Sequence, residues 1–250
     1  MAALRRLLCL GLLGGVLALA HASDGVWAPG LTEPYRDVTL AAEVPGVVAA
    51  RLYREGDFVK KGQVIVELDK RLEELAVQRH KLVADQLKTD LDGTRYVFEH
   101  GKSVSAEDLA KKEVEYRVAV VDYQTAEVEL RKRQVRAPMD GYITEFLVQV
   151  GESRKAQDAV VRMAETRRCY FISNVDAKLG AELRVGQAVP LEIDGSHGPV
   201  AFEGKIVFVS PVVDPASGLL RVKALFENPD GKIRPGVAGR IKLEGKPDVN

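Results

Sequence analysis

Val44-Pro45-Gly46-Val47-Val48 and Met139-Asp140-Gly141-Tyr142-Ile143 lie 95 residues apart and overlay without a gap. Outward from them, Glu55-Gly56-Asp57 falls on Val150-Gly151-Glu152, and Val64-Ile65-Val66 falls on Ala159-Val160-Val161. Each copy reads as strand, turn, strand. Its β-branched runs are punctuated by Gly46, Gly56 and Gly62 in the first copy and by Gly141 and Gly151 in the second, where a positive φ costs a glycine little. Neither copy carries enough apolar surface to stand alone, so the two are expected to close into one small β-sandwich split in sequence.

The stretch that splits them, Lys70 to Val135, has 66 residues, no proline, and 13 basic against 13 acidic side chains. It is dense in Ala, Leu, Val, Glu, Lys and Arg, which is helical composition. Leu109, Tyr116, Tyr123 and Leu130 recur every seven residues, with Ala119 and Ala126 at the complementary position, and predict a two-helix seam. Lys112 and Arg133 share that position and predict that both ends of the seam fray toward solvent. The second helix starts at Ser105 as N-cap, with Asp108 three residues on and Val104 placed to staple onto Leu109. The first helix is less regular, because the stripe Leu68, Leu72, Leu75, Leu82 slips phase before resuming at Leu87, Leu91 and Phe98. A helical glycine costs only about 1 kcal/mol, so the helix is expected to continue through Gly93 to His100 and end on Gly101. Stopping near Asp92 would leave a long irregular connection. The product is an antiparallel α-helical hairpin about 45 Å long at 1.5 Å per residue.

At the N-terminus, Arg5-Arg6, an apolar run from Leu7 to Ala20 and then Ala20-His21-Ala22 read as a cleaved signal peptide over residues 1–22. The run is about 14 residues, short of the roughly 20 needed to span a membrane. Cys9 lies too early in it for lipid attachment at the cleavage point, so an exported, non-lipidated protein is expected. The whole chain has 36 basic and 36 acidic residues, gathered in no long run, so no nucleic-acid partner is signalled. Cys169 is then the only cysteine of the mature chain, and packing rather than disulfides must hold it.

After Arg167 the texture changes to strands and turns. Strands are expected at Cys169–Val175, Gly186–Ile193, Ala201–Val209, Leu219–Phe226 and Gly239–Leu243, with a short helix near Ala177–Leu183. Turns are marked by Asp194-Gly195, Asp214-Pro215-Ala216-Ser217-Gly218 and Asn228-Pro229-Asp230-Gly231. This pattern predicts a small β-barrel. The expected organisation is a signal peptide (1–22), an N-terminal segment (23–37) that is disordered or lies along the barrel, a first lipoyl-like half (38–69), the hairpin (70–135), a second half (136–166), the barrel (167–245) and a tail (246–250). The fold class is mainly β plus α.

A split lipoyl-like sandwich with a helical hairpin between its halves resembles the periplasmic adaptor proteins, or membrane fusion proteins of the haemolysin D type. Val44-Pro45-Gly46 with Glu55-Gly56-Asp57-Phe58-Val59-Lys60-Lys61-Gly62-Gln63 carries the resemblance in the first half. Val135-Arg136-Ala137-Pro138-Met139-Asp140-Gly141 with Val150-Gly151-Glu152 carries it in the second, and residues 38–244 are covered. The resemblance implies a subunit that bridges an inner-membrane transporter, with a proton-driven pump as the first reading and an ATP-driven one as the second, to an outer-membrane channel protein, and that self-associates into a ring. Arg79, Lys88, Glu113 and Arg117 would then face neighbouring hairpins, the lumen or solvent. Family hairpin tips carry an Arg, a Leu and a Ser toward the channel; here Arg95, Phe98 and Ser105, with Gly101, are the nearest equivalents, with Phe for Leu and compressed spacing. Many members of that family continue into a further membrane-proximal domain, which is expected to be missing or vestigial here.

Other chemistries fare worse. Lipoyl and biotinyl carriers need an exposed lysine at a tight turn between the halves, and here the hairpin occupies that turn with Lys70 at its root. His80, His100 and His197 share no metal-like spacing, and no nucleophile elbow is present, so neither a cofactor nor an enzyme activity is expected. Cys169, in a strand, reads as core. A scaffold that modulates a transporter without forming a conduit is the alternative function.

Overall fold

The computed structural model describes residues 25–101, 104–196 and 198–243. The expected signal peptide, His197 and the tail lie outside them. In chain order the elements are β1 (Val26–Ala41), β2 (Gly46–Arg51), β3 (Phe58–Val59), β4 (Val64–Leu68), α1 (Arg71–Gly101), α2 (Ala106–Lys132), β5 (Gln134–Arg136), β6 (Gly141–Phe146), β7 (Ser153–Arg154) and β8 (Ala159–Asp176). They continue with α3 (Ala177–Glu182), β9 (Ala188–Gly195), β10 (Gly198–Val209), β11 (Leu219–Glu227) and β12 (Ala238–Leu243).

The two sequence copies form one body, related by a local two-fold. Gly46 and Val47 of β2 pair with Arg154 and Ser153 of β7, and their counterparts Gly141 and Tyr142 of β6 pair with Val59 and Phe58 of β3. The turns interlock in the same reciprocal way. The Gly56 N–H donates to the Ile143 carbonyl at 2.8 Å, and the Gly151 N–H donates to the Val48 carbonyl at 2.8 Å. A single apolar core results, in which Val48, Val59, Ile65 and Leu68 meet Ile143, Val160, Val161 and Met163. Each half covers the face that the other could not bury alone.

The barrel closes in the order β1-β12-β9-β10-β11-β8, with β8 returning to β1. Its core holds Phe171, Leu191, Ile193, Ile206, Phe226 and Ile241. Asn228 fastens the turn beneath it: its side-chain amide donates to the carbonyls of Thr166 (2.9 Å) and Ile233 (2.8 Å) and its oxygen accepts from the Ile233 N–H (3.1 Å).

Two expectations change here. Residues 23–37 are not a separate segment: from Val26 onward they are the first part of β1, a 16-residue strand. That stretch, which holds Trp27, Pro29 and Pro34, was expected to be disordered or to lie along the barrel. The prolines are accommodated because each sits where β1 is paired on one side only, Pro29 against Arg240 of β12 and Pro34 against Cys169 of β8. Nor is there a break at Arg167, since β8 runs unbroken for 18 residues. β1 and β8 pair from Gly30↔Ser173 to Ala41↔Ala159, so the same two strands belong to barrel and sandwich alike.

Candidate functional site

The hairpin projects from β4 and β5, and its root is clamped to the sandwich. The Leu68 N–H donates to the Arg133 carbonyl at 2.8 Å, and the Asp69 N–H to the Val47 carbonyl at 2.8 Å. Arg133, which ends α2, donates to the Pro45 carbonyl at 2.8 Å and to the Glu73 carboxylate at 2.6 Å. Arg133 and Glu73 are only 23% and 19% exposed. The expected fraying at Arg133 is therefore replaced by an anchor, because its fork reaches two acceptors at once. At the other end of the seam Lys112 is half-buried and paired to Glu115 at 2.9 Å. Asp69 lies beside this root; the Arg71 guanidinium, bonded to it at 2.9 and 2.6 Å, draws its carboxyl down to about 2. Lys70 is held by Glu67 at 2.7 Å.

Along α2 the seam follows the expected positions, with Ala119 and Ala126 buried and Leu109, Tyr116, Tyr123 and Leu130 half-buried. Along α1 it does so from Leu87 through Leu91 to Phe98, but not before. The buried positions are Ala84 and Leu91, with His80, Leu87, Thr94 and Phe98 half-buried in the same three-four spacing. Leu72, Leu75 and Leu82 are 79%, 61% and 70% exposed. The phase slip was an artefact of tracing leucines. The true seam is continuous and uses small and polar residues that let the backbones approach, and it carries α1 through Gly93 to Gly101.

Near the tip Arg95 donates to Glu113 at 2.9 Å across the two helices. The Ser105 hydroxyl accepts from the Asp108 N–H at 3.0 Å and donates to the Asp108 carboxylate at 2.7 Å, which holds that carboxyl below its usual range. Phe98 lies in the seam, Gly101 is the last helical residue before the turn, and the His100 ring stacks on Tyr96 at 4.4 Å. Arg95, Phe98 and Ser105 thus each have a role inside the hairpin. The turn glycines of the sandwich stand where the repeat placed them. Gly56, Gly62 and Gly151 adopt φ of 88°, 86° and 93°, and a Cβ on Gly141 would come within 2.7 Å of the Ala164 carbonyl oxygen.

Two surface features went unread in the sequence. Val114, Val118, Val121 and Val128 are exposed on α2; with Lys111, Thr125 and Lys132 they form a second register of three-four spacing on the side of the helix away from the seam. The turn between β10 and β11, which contains exposed Val212 and Val213, lies at the barrel end remote from the sandwich, since Leu219 pairs with Asp176 and Glu227 with Arg168. Among the described residues no group of His, Cys, Asp and Glu is arranged to hold a metal ion, and no helix is long and apolar enough to cross a membrane.

The family model described as the RND MFP barrel-sandwich hybrid domain matches residues 36–163. That described as the CusB-like beta-barrel domain matches residues 173–247. The antibiotic efflux pump periplasmic linker protein ArpA of Pseudomonas putida is 26% identical over 89% of the chain and 63% of its own length. The multidrug resistance protein MexA of Pseudomonas aeruginosa is 25% identical over 86% of the chain and 60% of its own length. The chain therefore spans about three fifths of these relatives. A crystal structure of a MacA-MexA chimera carrying the P. aeruginosa MexA α-hairpin superposes with a TM-score of 0.72 at 21% identity, over 89% of this chain and 81% of that one.

Proposed function

The chain belongs to the RND membrane fusion protein family, and from that premise we propose that it is a periplasmic adaptor subunit that links an inner-membrane transporter to an outer-membrane channel for export. The observation that carries this reading is the mechanical continuity of the molecule. Arg133 and Glu73 fasten the hairpin to the sandwich, and β1 and β8 fuse the sandwich to the barrel. A docking spike is thereby held on a body with a second surface at its far end.

Such a protein works by assembly rather than by catalysis. It is exported by cleavage of residues 1–22, and barrel and sandwich pack side by side into a ring on the transporter, a proton-driven one. The hairpins stand as a tube whose tips, around Arg95, Phe98, Gly101 and Ser105, meet the channel. Arg95 gives one N–H to Glu113 and remains 45% exposed, so its fork has donors left for a partner. Contacts that are weak singly suit an assembly in which many copies add avidity.

Purification of the tagged chain from detergent-solubilised envelopes tests this. Recovery of an inner-membrane transporter together with an outer-membrane channel is the expected result. Recovery of the transporter alone points to a scaffold without a conduit, and recovery of neither contradicts the proposal.

A further inference from the structure

On the outside of the barrel β11 lies between β8 and β10, and the outward residues of the three strands form one face. Ile172, Lys223 and Phe208 run across it in register, with Tyr170 and Leu225 paired alongside. Alternation sends Cys169, Phe171, Val222 and Ala224 into the core, which turns Tyr170, Ile172, Lys223 and Leu225 outward. Phe208 is out by a different device. β10 is bulged between Ile206 and Phe208, so Val207 is an extra residue. Strict alternation from buried Ile206 would bury Phe208 and turn Val209 out. With the bulge, Val209 packs on the core and Phe208 is 40% exposed.

Tyr170, Val207, Phe208, Ser210, Arg221 and Lys223 line a depression of about 620 Å3, within the ordinary range for small-molecule sites. Its charged lining is wholly cationic. Lys223 Nζ lies 5.6 Å from the Tyr170 ring centroid. Arg221 stands two residues before it on β11 and so shares its face. Among the described residues neither cation is in an ion pair. Glu33 pairs in register with Tyr170, and Glu227 with Arg168, but neither lines the depression. Asp214, in the following turn, accepts from the Ala216 N–H at 2.9 Å.

Elsewhere on the barrel the same arrangement is complete. Arg240 lies 4.6 Å from the Trp27 ring centroid, and its Nε donates to the Glu192 carboxylate at 2.6 Å. At Tyr170 the ring and the cation are present without the carboxylate. A depression walled by Phe208 and Tyr170 and charged by two unneutralised cations is complementary to a molecule that brings an anionic head and an apolar body together.

We propose that the outer face of β8, β10 and β11 binds an organic anion, its carboxylate or sulfonate held by Lys223 and Arg221 and its aromatic or alkyl body laid against Phe208, Tyr170 and Val207. The bulge in β10 thereby supplies an aromatic wall where the strand pattern alone would present a valine. This binding role goes beyond the bridging role and does not depend on it.

Calorimetric titration of the purified chain with 2-naphthoate tests it, with neutral 2-naphthamide as the control. One saturable site per chain is expected for the naphthoate, with decanoate competing and the amide bound about tenfold more weakly. Lys223→Gln combined with Arg221→Gln should weaken naphthoate about tenfold at an unchanged melting temperature. Phe208→Ser should weaken naphthoate and amide alike, and Arg240→Gln should change neither. On the unaltered chain, decanoate should protect the Lys223 amine from acetylation, read by mass spectrometry of digests, and leave Lys60 reactive. Equal affinity for naphthoate and amide, full affinity in the Lys223/Arg221 double variant, or equal reactivity of Lys223 with and without decanoate overturns the proposal. Binding to phosphatidylglycerol vesicles through Lys223 and Arg221, with free naphthoate and decanoate unbound, also overturns it and assigns the face to a membrane surface.

Discussion

Gly62 and Gln157 occupy equivalent places in the two halves of the sandwich, at φ of 86° and 71°. Their N–H groups donate to equivalent carbonyls, Ala137 and Ala42, both at 2.7 Å. Gln157 is the one non-glycine residue with positive φ among the described residues. The backbone path that closes the sandwich therefore demands a left-handed residue twice, and only the first half meets the demand with glycine. Gln157→Gly should raise stability by about 0.5–1 kcal/mol, the left-handed cost to an L-residue less the extra freedom a glycine loses on folding. Gly62→Gln should lower it by a similar amount. Urea denaturation of the two variants checks both signs.

The root clamp should be the most sensitive polar contact of the hairpin. Arg133→Ala removes bonds to Glu73 and Pro45 and leaves a carboxylate four-fifths buried, at a cost of about 1–2 kcal/mol. Arg133→Lys should rescue only part of this, since an ammonium cannot reproduce the fork. The diagnostic readout is faster proteolysis near residues 68–73 and 131–135 without loss of barrel protection.

Cys169 is fully buried in the barrel core, and burial pushes its thiol up to about 11 from an ordinary value of 9. The folded state prefers the neutral thiol. Its contribution is therefore whole below pH 9 and is lost as pH rises from 9 through 11. Native protein at pH 8 should resist thiol reagents that label it fully in denaturant. Cys169→Ala should flatten the alkaline fall in stability; an unchanged fall would assign it to other groups.

At the hairpin tip, Ser105→Ala removes the cap of α2 and should cost about 1 kcal/mol. Arg95→Ala breaks a pair whose side chains are 45% and 41% exposed, worth at most about 1 kcal/mol. Both proteins should fold. Arg95→Ala and Ser105→Arg should nonetheless lower export in cells; unaltered export would place channel contact elsewhere.

The repeat around Gly46 and Gly141 was legible because turn geometry constrains residue type, and the α2 seam because Ala119 and Ala126 alternate with tyrosines at fixed spacing. The first half of the α1 seam was misread because its covered positions there are half-buried His80 and buried Ala84, whereas Leu72, Leu75 and Leu82 face outward; beyond it Leu87, Leu91 and Phe98 lie in the seam as expected. Hydrophobicity marks a face to be covered and does not say by which molecule. β1 was hidden by Pro29 and Pro34, whose one-sided pairing depends on strands more than 130 residues away. The Arg133–Glu73 clamp joins residues 60 apart and has no local signature.

Site-specific photo-cross-linking in living cells reaches the bridging role most directly. A photoreactive residue replaces exposed Glu99 at the tip end of α1 in one strain and exposed Val212 at the remote barrel end in another. The account predicts an outer-membrane channel captured from position 99 and an inner-membrane transporter from position 212. Capture of the same partner from both positions, or of an inner-membrane protein from position 99, would contradict it.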